Sequence, residues 1–539
     1  MNKIILKANY LVINAVKAIK KKDYIEAKNL LKKAVFVSPQ MFEANHNLAI
    51  LYFQLGNLDE SILYFEKSKK LKPKLPQVYF NLALAYDRKK KIDLAITNFK
   101  EVIKLEPNNY IALYNIGHLY KSKFKTIEAE EYLNKSLDLN AKFVKTYDDL
   151  FSLYDQSNQL EKFGNLLEKA KKILDEKNLI SFYEAVFTYN QKNFKQTIQI
   201  LENLNLKENY FAHNITRHSL LAKSFDRVND FEKAYIHFKI NNQLVNESYG
   251  KNIDERAFLQ VVKQRIEFFK DFKVKRWKQH QLKDEFFQPI FLIGFPRSGT
   301  TLLDTILRTN KSIEVVEEKP ILRNFLRDLD IKIKNNFNHL DNLDEKFIHD
   351  MQNLYFEERA HYLENKKTKI VIDKMPLNII YIGEILRFFP NAKFIFALRN
   401  PYDSVLSCFI QQFQLNPAMK NFISLDSSAN LYDLVMKLWI IYKEIFPINY
   451  HLIKYENLVT DFEKTTKEIF KFLEIDWSED TKNFHLTAQK RLNISTPSYD
   501  QITSPLYSRS IGRWKNYEKE FKNIKNILDP WLDEFNYKI

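Results

Sequence analysis

The sequence predicts a multidomain chain: an N-terminal all-α superhelix of repeats, then a C-terminal α/β domain with a mainly parallel sheet. Three observations predict it. Several residue series recur at one constant step in the first part of the chain. At Pro289 the texture changes to short apolar runs of buried-strand type. One such run leads through a glycine-bounded loop into a helical pattern. A length of 539 residues already asks for more than one domain, because single cores stop growing near ~250–300 residues.

Composition narrows the class. Hydrophobic residues make up 45% and charged residues 28%, a globular balance that excludes a mostly disordered chain. The single cysteine, Cys408, excludes an intrachain disulfide and a multi-cysteine zinc site. No stretch reaches the ~20 apolar residues of a membrane span. The segment Met1–Tyr24 is amphipathic and punctuated by Lys, with no apolar core followed by a small-residue cleavage site. A soluble cytoplasmic protein is the expectation. The formal charge of +16 admits anionic partners. With Lys spread throughout, it reads as solvated helix faces rather than a nucleic-acid surface.

The repeats come first. Pro39, Pro73 and Pro107 are evenly spaced, thirty-four positions from each to the next. Ala27, Ser61, Ala95 and Ala129 form a small-residue series at the same step. Leu48, Leu82, Ile116 and Leu150 form an apolar one, and Tyr52, Tyr86, Tyr120 and Tyr154 an aromatic one. Ala49, Ala83 and Gly117 add a second small position, which fails at Phe151. Small residues let antiparallel helices approach closely, aromatics fill the space above them, and Pro ends the second helix. This pattern resembles the tetratricopeptide repeat. It is clearest over 10–155 and, with Ala222 and Ala234 still twelve apart, is extended to give an array over 1–245. Residues 246–285 read as a basic helical connector in which Trp277 packs. Such arrays bind peptides or partner proteins, which is the expected role of this one.

The chemistry lies in residues 286–539. The run Pro289–Ile293 precedes Gly294-Phe-Pro-Arg-Ser-Gly-Thr-Thr301 and then a helical pattern. Strand, loop and helix in that order turn backbone N–H groups and a helix N-terminus toward an anion. Gly294 and Gly299 lie inside this loop, in a chain with only 8 glycines. A nucleotide triphosphatase would carry Lys after the second Gly, where Thr300 stands. The strand KFIFAL ends not in a metal-binding Asp but before Arg399. An ATP-dependent phosphotransferase is therefore disfavoured.

The segment PRSGTT after a buried strand resembles the 5′-phosphosulfate loop of sulfotransferases that use 3′-phosphoadenosine 5′-phosphosulfate (PAPS). Three later segments extend the resemblance. NAKFIFALRNPYDSVLSCF is similar to the family's 3′-phosphate site, with Arg399 at a strand end and Ser407 eight residues on. YENL resembles the segment whose Tyr, here Tyr455, contacts adenine. SRSIGRWKNYEKEF resembles the loop that closes over the donor. The resemblance implies donor contacts at Arg297, Ser298, Gly299, Thr300, Thr301, Arg399, Ser407, Tyr455, Arg509 and Arg513. Arg509 sits three before Gly512, whereas the cytosolic enzymes carry Arg-Lys-Gly five before. The stretch SYDQITSPLYSRSIGRW is closer to the tyrosylprotein sulfotransferases and to bacterial repeat-fused sulfotransferases, which puts Ser498 at the phosphosulfate bridge.

Sulfuryl transfer needs a base for the attacking hydroxyl and positive charge at the leaving oxygen. The tyrosylprotein enzymes place their base Glu twenty-one residues after the loop Arg. That position is Glu318, preferred here over Glu317. They place a Lys where Lys374 stands, twenty-five before Arg399, to donate to the leaving group together with Arg297. The expected catalytic set is Glu318, Lys374, Arg297 and Ser498, with no metal. The expected activity is transfer of a sulfuryl group from PAPS to a hydroxyl acceptor, foremost protein tyrosine. Sugar hydroxyls and small phenols remain open as acceptors, because fold and donor do not set the acceptor. A non-catalytic repeat scaffold whose second domain senses PAPS is the reading from another class.

Overall fold

The computed structural model describes residues 2–206, 210–272, 277, 287–334, 336–365, 368, 370–490, 506 and 508–537. The chain forms two compact units, Met1–His213 and Asn214–Ile539.

The first unit is a stack of helix pairs, beginning with Asn2–Lys20 and Tyr24–Val37 and continuing through Lys177–Asn190 and Phe194–Glu202. The periodic residues do what their sizes dictate. Ala27, Ser61, Ala95 and Ala129 have no exposed surface, nor do Leu48, Leu82, Ile116 and Leu150. At Gly117 even a methyl group would come within 2.7 Å of Leu133, so this helix pair is closer than any side chain permits. Pro39, Pro73 and Pro107 each stand just beyond a helix that ends at Val37, Leu71 and Leu105, where a missing N–H costs nothing. The Ser61 hydroxyl crosses to the Ala49 carbonyl at 2.9 Å, satisfying a polar group inside the stack.

The second unit is built on a parallel sheet. Its strands are β1 (Ile290–Gly294), β2 (Ile313–Glu317), β3 (Ile370–Lys374), β4 (Lys393–Leu398) and β5 (Asn449–Lys454), in the order β2-β3-β1-β4-β5. All four pairings are parallel. The inner strands β1 and β4 are apolar along nearly their whole length because both faces are covered, whereas the edge strand β5 is mostly part-exposed. Ile290 and Leu292 pack with Leu303, Ile306 and Ile469 on one side. On the other side Phe291 meets Phe394 and Tyr355, and Phe396 meets Trp439. The chain leaves β1 toward β2 on one flank and later reaches β4 on the other, so the strand order reverses beside β1. In parallel sheets that reversal opens a crevice at the carboxyl ends of the strands.

Helices that precede the sheet belong to this unit as well. Asn241 donates to the Ile215 carbonyl at 2.7 Å, and Asn242 donates to the Phe409 carbonyl at 2.9 Å. Within the segment read as a connector, helix Glu255–Phe269 buries Val262, Arg265 and Phe269. Arg265 pairs with Glu384 at 2.6 Å, both side chains nearly inaccessible. Trp277 stacks on Phe446 and donates to Asp341 at 2.9 Å. Among the described residues no helix is long and apolar enough to cross a membrane.

Candidate active site

The crevice at the strand ends collects most of the residues singled out in the sequence. The loop from Gly294 to Thr301 leaves β1, and helix Thr300–Leu307 begins at once behind it. Three of its residues have positive φ: Gly294 (156°), Arg297 (68°) and Gly299 (97°). Gly299 has a further reason to be glycine, because a Cβ there would stand 2.7 Å from the Tyr455 ring. Ser298, Thr300 and Thr301 are buried. The first N–H groups of that helix have no acceptor within it and carry its positive dipole end.

Arg399 follows β4 and ties the site together. One of its terminal nitrogens donates to the Arg297 carbonyl at 3.1 Å and the other to the Ser510 carbonyl. Its guanidinium lies 4.9 Å from the centre of the Tyr455 ring. Arg297 in turn donates through Nε to the Ser407 hydroxyl at 3.2 Å. Loop, β4 end, helix Pro401–Phe409 and the residue after β5 thus meet at one point. Two polar atoms there are buried and have no partner among the described residues: Ser298 Oγ and Arg399 Nε. Buried polar atoms are seldom left so. An anionic ligand with several acceptor oxygens would satisfy both.

A cluster of carboxylates around one lysine lies at the ends of the neighbouring strands. Glu317 and Lys374 end β2 and β3 in register. Lys374 is fully buried, yet its ammonium stands 2.8 Å from Glu318 and 3.2 Å from Glu317. Burial pulls its pKa down, but Glu318, Asp304 and Glu317 more than reverse that and hold it above the ordinary lysine value. Glu318 is the more open carboxylate, 37% exposed against 8% for Glu317. It has φ +50° and is fixed by its own N–H donating to the Lys374 carbonyl at 2.8 Å. Cys408 is buried and donates to the Pro296 carbonyl at 3.3 Å, its thiol pushed far up by burial. It supports the loop from below.

Three more of the expected contacts remain to be located. Ser498 lies outside the described residues. Arg509 is exposed in the turn before Gly512. Arg513 is engaged with Asp226 at 2.8 Å. Burial lowers its pKa, but Asp226 and Tyr517 outweigh this and raise it. Sequence reasoning missed three carboxylates. Asp304, fully buried, faces Lys374 and pairs with Arg308 four residues on, a helical spacing visible in the sequence. Asp403 and Asp226 reach the segment after Ser510 by contacts that no local spacing announces. Among the described residues no group of His, Cys, Asp and Glu could hold a metal ion.

Comparison with known proteins agrees with this layout. Residues 289–479 match the sulfotransferase family, and residues 18–85, 76–109 and 110–143 match tetratricopeptide repeats. An uncharacterized protein of Aquifex aeolicus is 26% identical over 398 residues, which is 69% of this chain but half the length of that protein. Protein-tyrosine sulfotransferase 2 of Gallus gallus is 25% identical over 276 residues, covering 46% of this chain and 71% of that one. Among solved structures, a tetratricopeptide repeat protein from Parabacteroides merdae aligns with 44% of this chain and 93% of its own, at 17% identity and a TM-score of 0.37. With sulfotransferase similarity beginning at β1 and three repeat matches ahead of it, the chain joins tetratricopeptide repeats to a domain of the sulfotransferase family.

Proposed function

We propose that the second unit transfers a sulfuryl group from PAPS to a hydroxyl of a polypeptide, foremost tyrosine, recruited by the repeats. The observation that carries this reading is the buried Lys374 ammonium, 2.8 Å from the half-open Glu318 carboxylate, on a strand adjacent to the one that ends in the phosphate-type loop. Glu318 takes the proton as the acceptor oxygen attacks sulfur. The acceptor oxygen–sulfur bond forms, the bond from sulfur to the bridging oxygen breaks, and negative charge gathers on the departing 5′-phosphate. Lys374, Arg297 and the loop N–H groups face that charge already oriented and largely shielded from water. Arg399 and Ser407 bind the 3′-phosphate, and Tyr455 lies against the adenine. The buried Ser298 Oγ and Arg399 Nε supply donors that an anion would satisfy.

Tyrosine as acceptor is supported by the likeness to the Gallus gallus protein-tyrosine sulfotransferase. A repeat array on the same chain suits an acceptor that is itself a polypeptide. The test is calorimetric binding of 3′-phosphoadenosine 5′-phosphate without metal, with magnesium-ATP and Arg399→Ala as controls. Micromolar binding that is lost in the variant is expected, and a preference for magnesium-ATP would overturn the reading. With tyrosine peptides as acceptors, Glu318→Gln should then lose about 10²–10⁴ in turnover while keeping donor affinity. Loss of affinity instead would make Glu318 a structural carboxylate.

A further inference from the structure

The segment that follows Ser510 is held from two directions by carboxylates that sequence reasoning did not single out. Asp403, 1% exposed, accepts the Gly512 N–H at 2.6 Å with one oxygen and the Trp514 N–H at 3.0 Å with the other. The Trp514 ring stacks on Tyr402 at 4.4 Å, the residue beside that carboxylate. From the other side Asp226, on helix Phe211–Arg227, pairs with Arg513 at 2.8 Å and accepts the Tyr517 hydroxyl at 2.5 Å. Phe231 meets the Tyr517 ring edge-on at 5.5 Å. Between these anchors and the loop after β1 stands Arg399, bonded to the Ser510 carbonyl on one side and the Arg297 carbonyl on the other.

We propose that Asp403 and Asp226 are positioning residues that hold residues 510–517 against Arg399, and so set the preference for a donor carrying a 3′-phosphate. Gly512 makes the hold possible. Its φ of +68° turns two nearby N–H groups toward one carboxylate, a nest-like arrangement that favours negative charge. Arg399 spends one N–H of each terminal nitrogen on a carbonyl, and its Nε has no partner among the described residues. Its orientation toward a phosphate therefore depends on where Ser510 is kept. Asp226 lies outside the 289–479 segment that matches the sulfotransferase family, so a helix ahead of that domain takes part in donor selection. The proposal rests on the sulfuryl-transfer reading for the identity of the ligand, but not for the hold itself.

The experiment compares wild type, Asp403→Asn and Asp226→Asn in the full chain. Binding of 3′-phosphoadenosine 5′-phosphate and of adenosine 5′-phosphate is measured for each, with hydrogen exchange of residues 508–517. Asp403→Asn keeps the shape but turns an N–H donor toward a backbone N–H. It should lose about tenfold or more in affinity for the 3′-phosphate ligand, with little change for adenosine 5′-phosphate. Asp226→Asn should shift the same ratio by a smaller factor. Exchange at Gly512 and Trp514 should quicken in both, with β1 and β4 unchanged. Equal losses for the two ligands, or unaltered exchange, would overturn the proposal. Should Asp403→Asn not fold, Asp226→Asn decides by the same ratio. If wild type binds neither nucleotide, the sulfuryl-transfer reading fails, and exchange alone then judges the hold.

Discussion

Both units place residues in left-handed backbone, and after two strands of the second unit such residues serve a different end. In the first unit Lys22, Gly56, Lys90, Phe124, Asn158 and Lys192 all have φ between 54° and 80°. They follow one another at the step of the repeat, and each closes the first helix of a pair. The N–H of Phe124 bonds to the Lys121 carbonyl and that of Lys125 to the Tyr120 carbonyl, and Lys90 and Lys91 repeat this with Asp87 and Tyr86. Two backbone bonds determine the turn, so the side chain is immaterial; Phe124 is 77% exposed. In the second unit the residues with this backbone after β1 and β2 are Arg297 and Glu318. There the side chain is the reason for the geometry, because the turn aims one charge at Ser407 and the other at Lys374. The same local cost ends helices in both units, at Lys334 in the second as at Phe124 in the first, and after β1 and β2 it presents a charged group.

Arg297→Gly is the strongest way to break that comparison. It relieves the positive φ and removes the guanidinium together. Turnover should fall by about 10²–10³, while the melting temperature holds or rises, as at sites where function is maintained against stability. A variant that keeps turnover would make Arg297 a mere turn residue like Phe124. A variant that loses both activity and fold would make its side chain structural.

How much of this was legible in the sequence follows from the same contrast. The periodic series was readable because burial at Ala27, Leu48 and Tyr52 demands a size, and that size recurs. The left-handed turns were not readable, because Lys, Gly, Phe and Asn all occupy them. Those turns keep the step of the repeat as far as Lys192 and reappear at Asn229, beyond the point where the side-chain series fades. In the second unit the loop was legible from its strand–loop–helix order, Arg399 and Ser407 through the family resemblance, and the structure brings them within bonding distance. Asp226 and Asp403 were not, since each acts on residues more than a hundred positions away. Arg513 reads as a donor contact from its place in a motif, but its pairing with Asp226 depends on a helix far upstream.

A smaller effect tests charge on the opposite face of the sheet. Asp373 precedes Lys374 and, by strand alternation, points away from the site, toward the Tyr355 hydroxyl at 3.4 Å. Burial raises its pKa from 3.8 to about 7, against lowering by the Tyr355 hydroxyl and Arg359. Between those values the folded chain keeps a proton that the unfolded chain has released. This residue's contribution to stability therefore falls as pH rises from about 4 to about 7, and is level above that. Asp373→Asn should be more stable than wild type at pH 8, the difference shrinking toward pH 4. Each tenfold change in proton affinity is worth about 1.4 kcal/mol, so chemical unfolding at the two pH values resolves it. A difference that does not change with pH would show that Asp373 is ionised in the fold across that range.

The smallest effect sharpens the comparison most, because it isolates the backbone. Nothing lies within 4 Å of where a Cβ would stand at Gly56. Gly56→Ala therefore meets no clash, and its cost is the left-handed conformation alone, about 1 kcal/mol. Phe124→Gly is the reverse change at the equivalent turn two repeats later, where the ring is exposed and little packing is lost. It should gain a similar amount, reduced by the greater freedom of glycine in the unfolded chain. Urea unfolding of both variants measures the pair. Opposite signs would show that the array bears strain at a site where the side chain brings nothing. A loss at Phe124 would show that the left-handed turn there holds no strain large enough to outweigh the freedom of glycine in the unfolded chain.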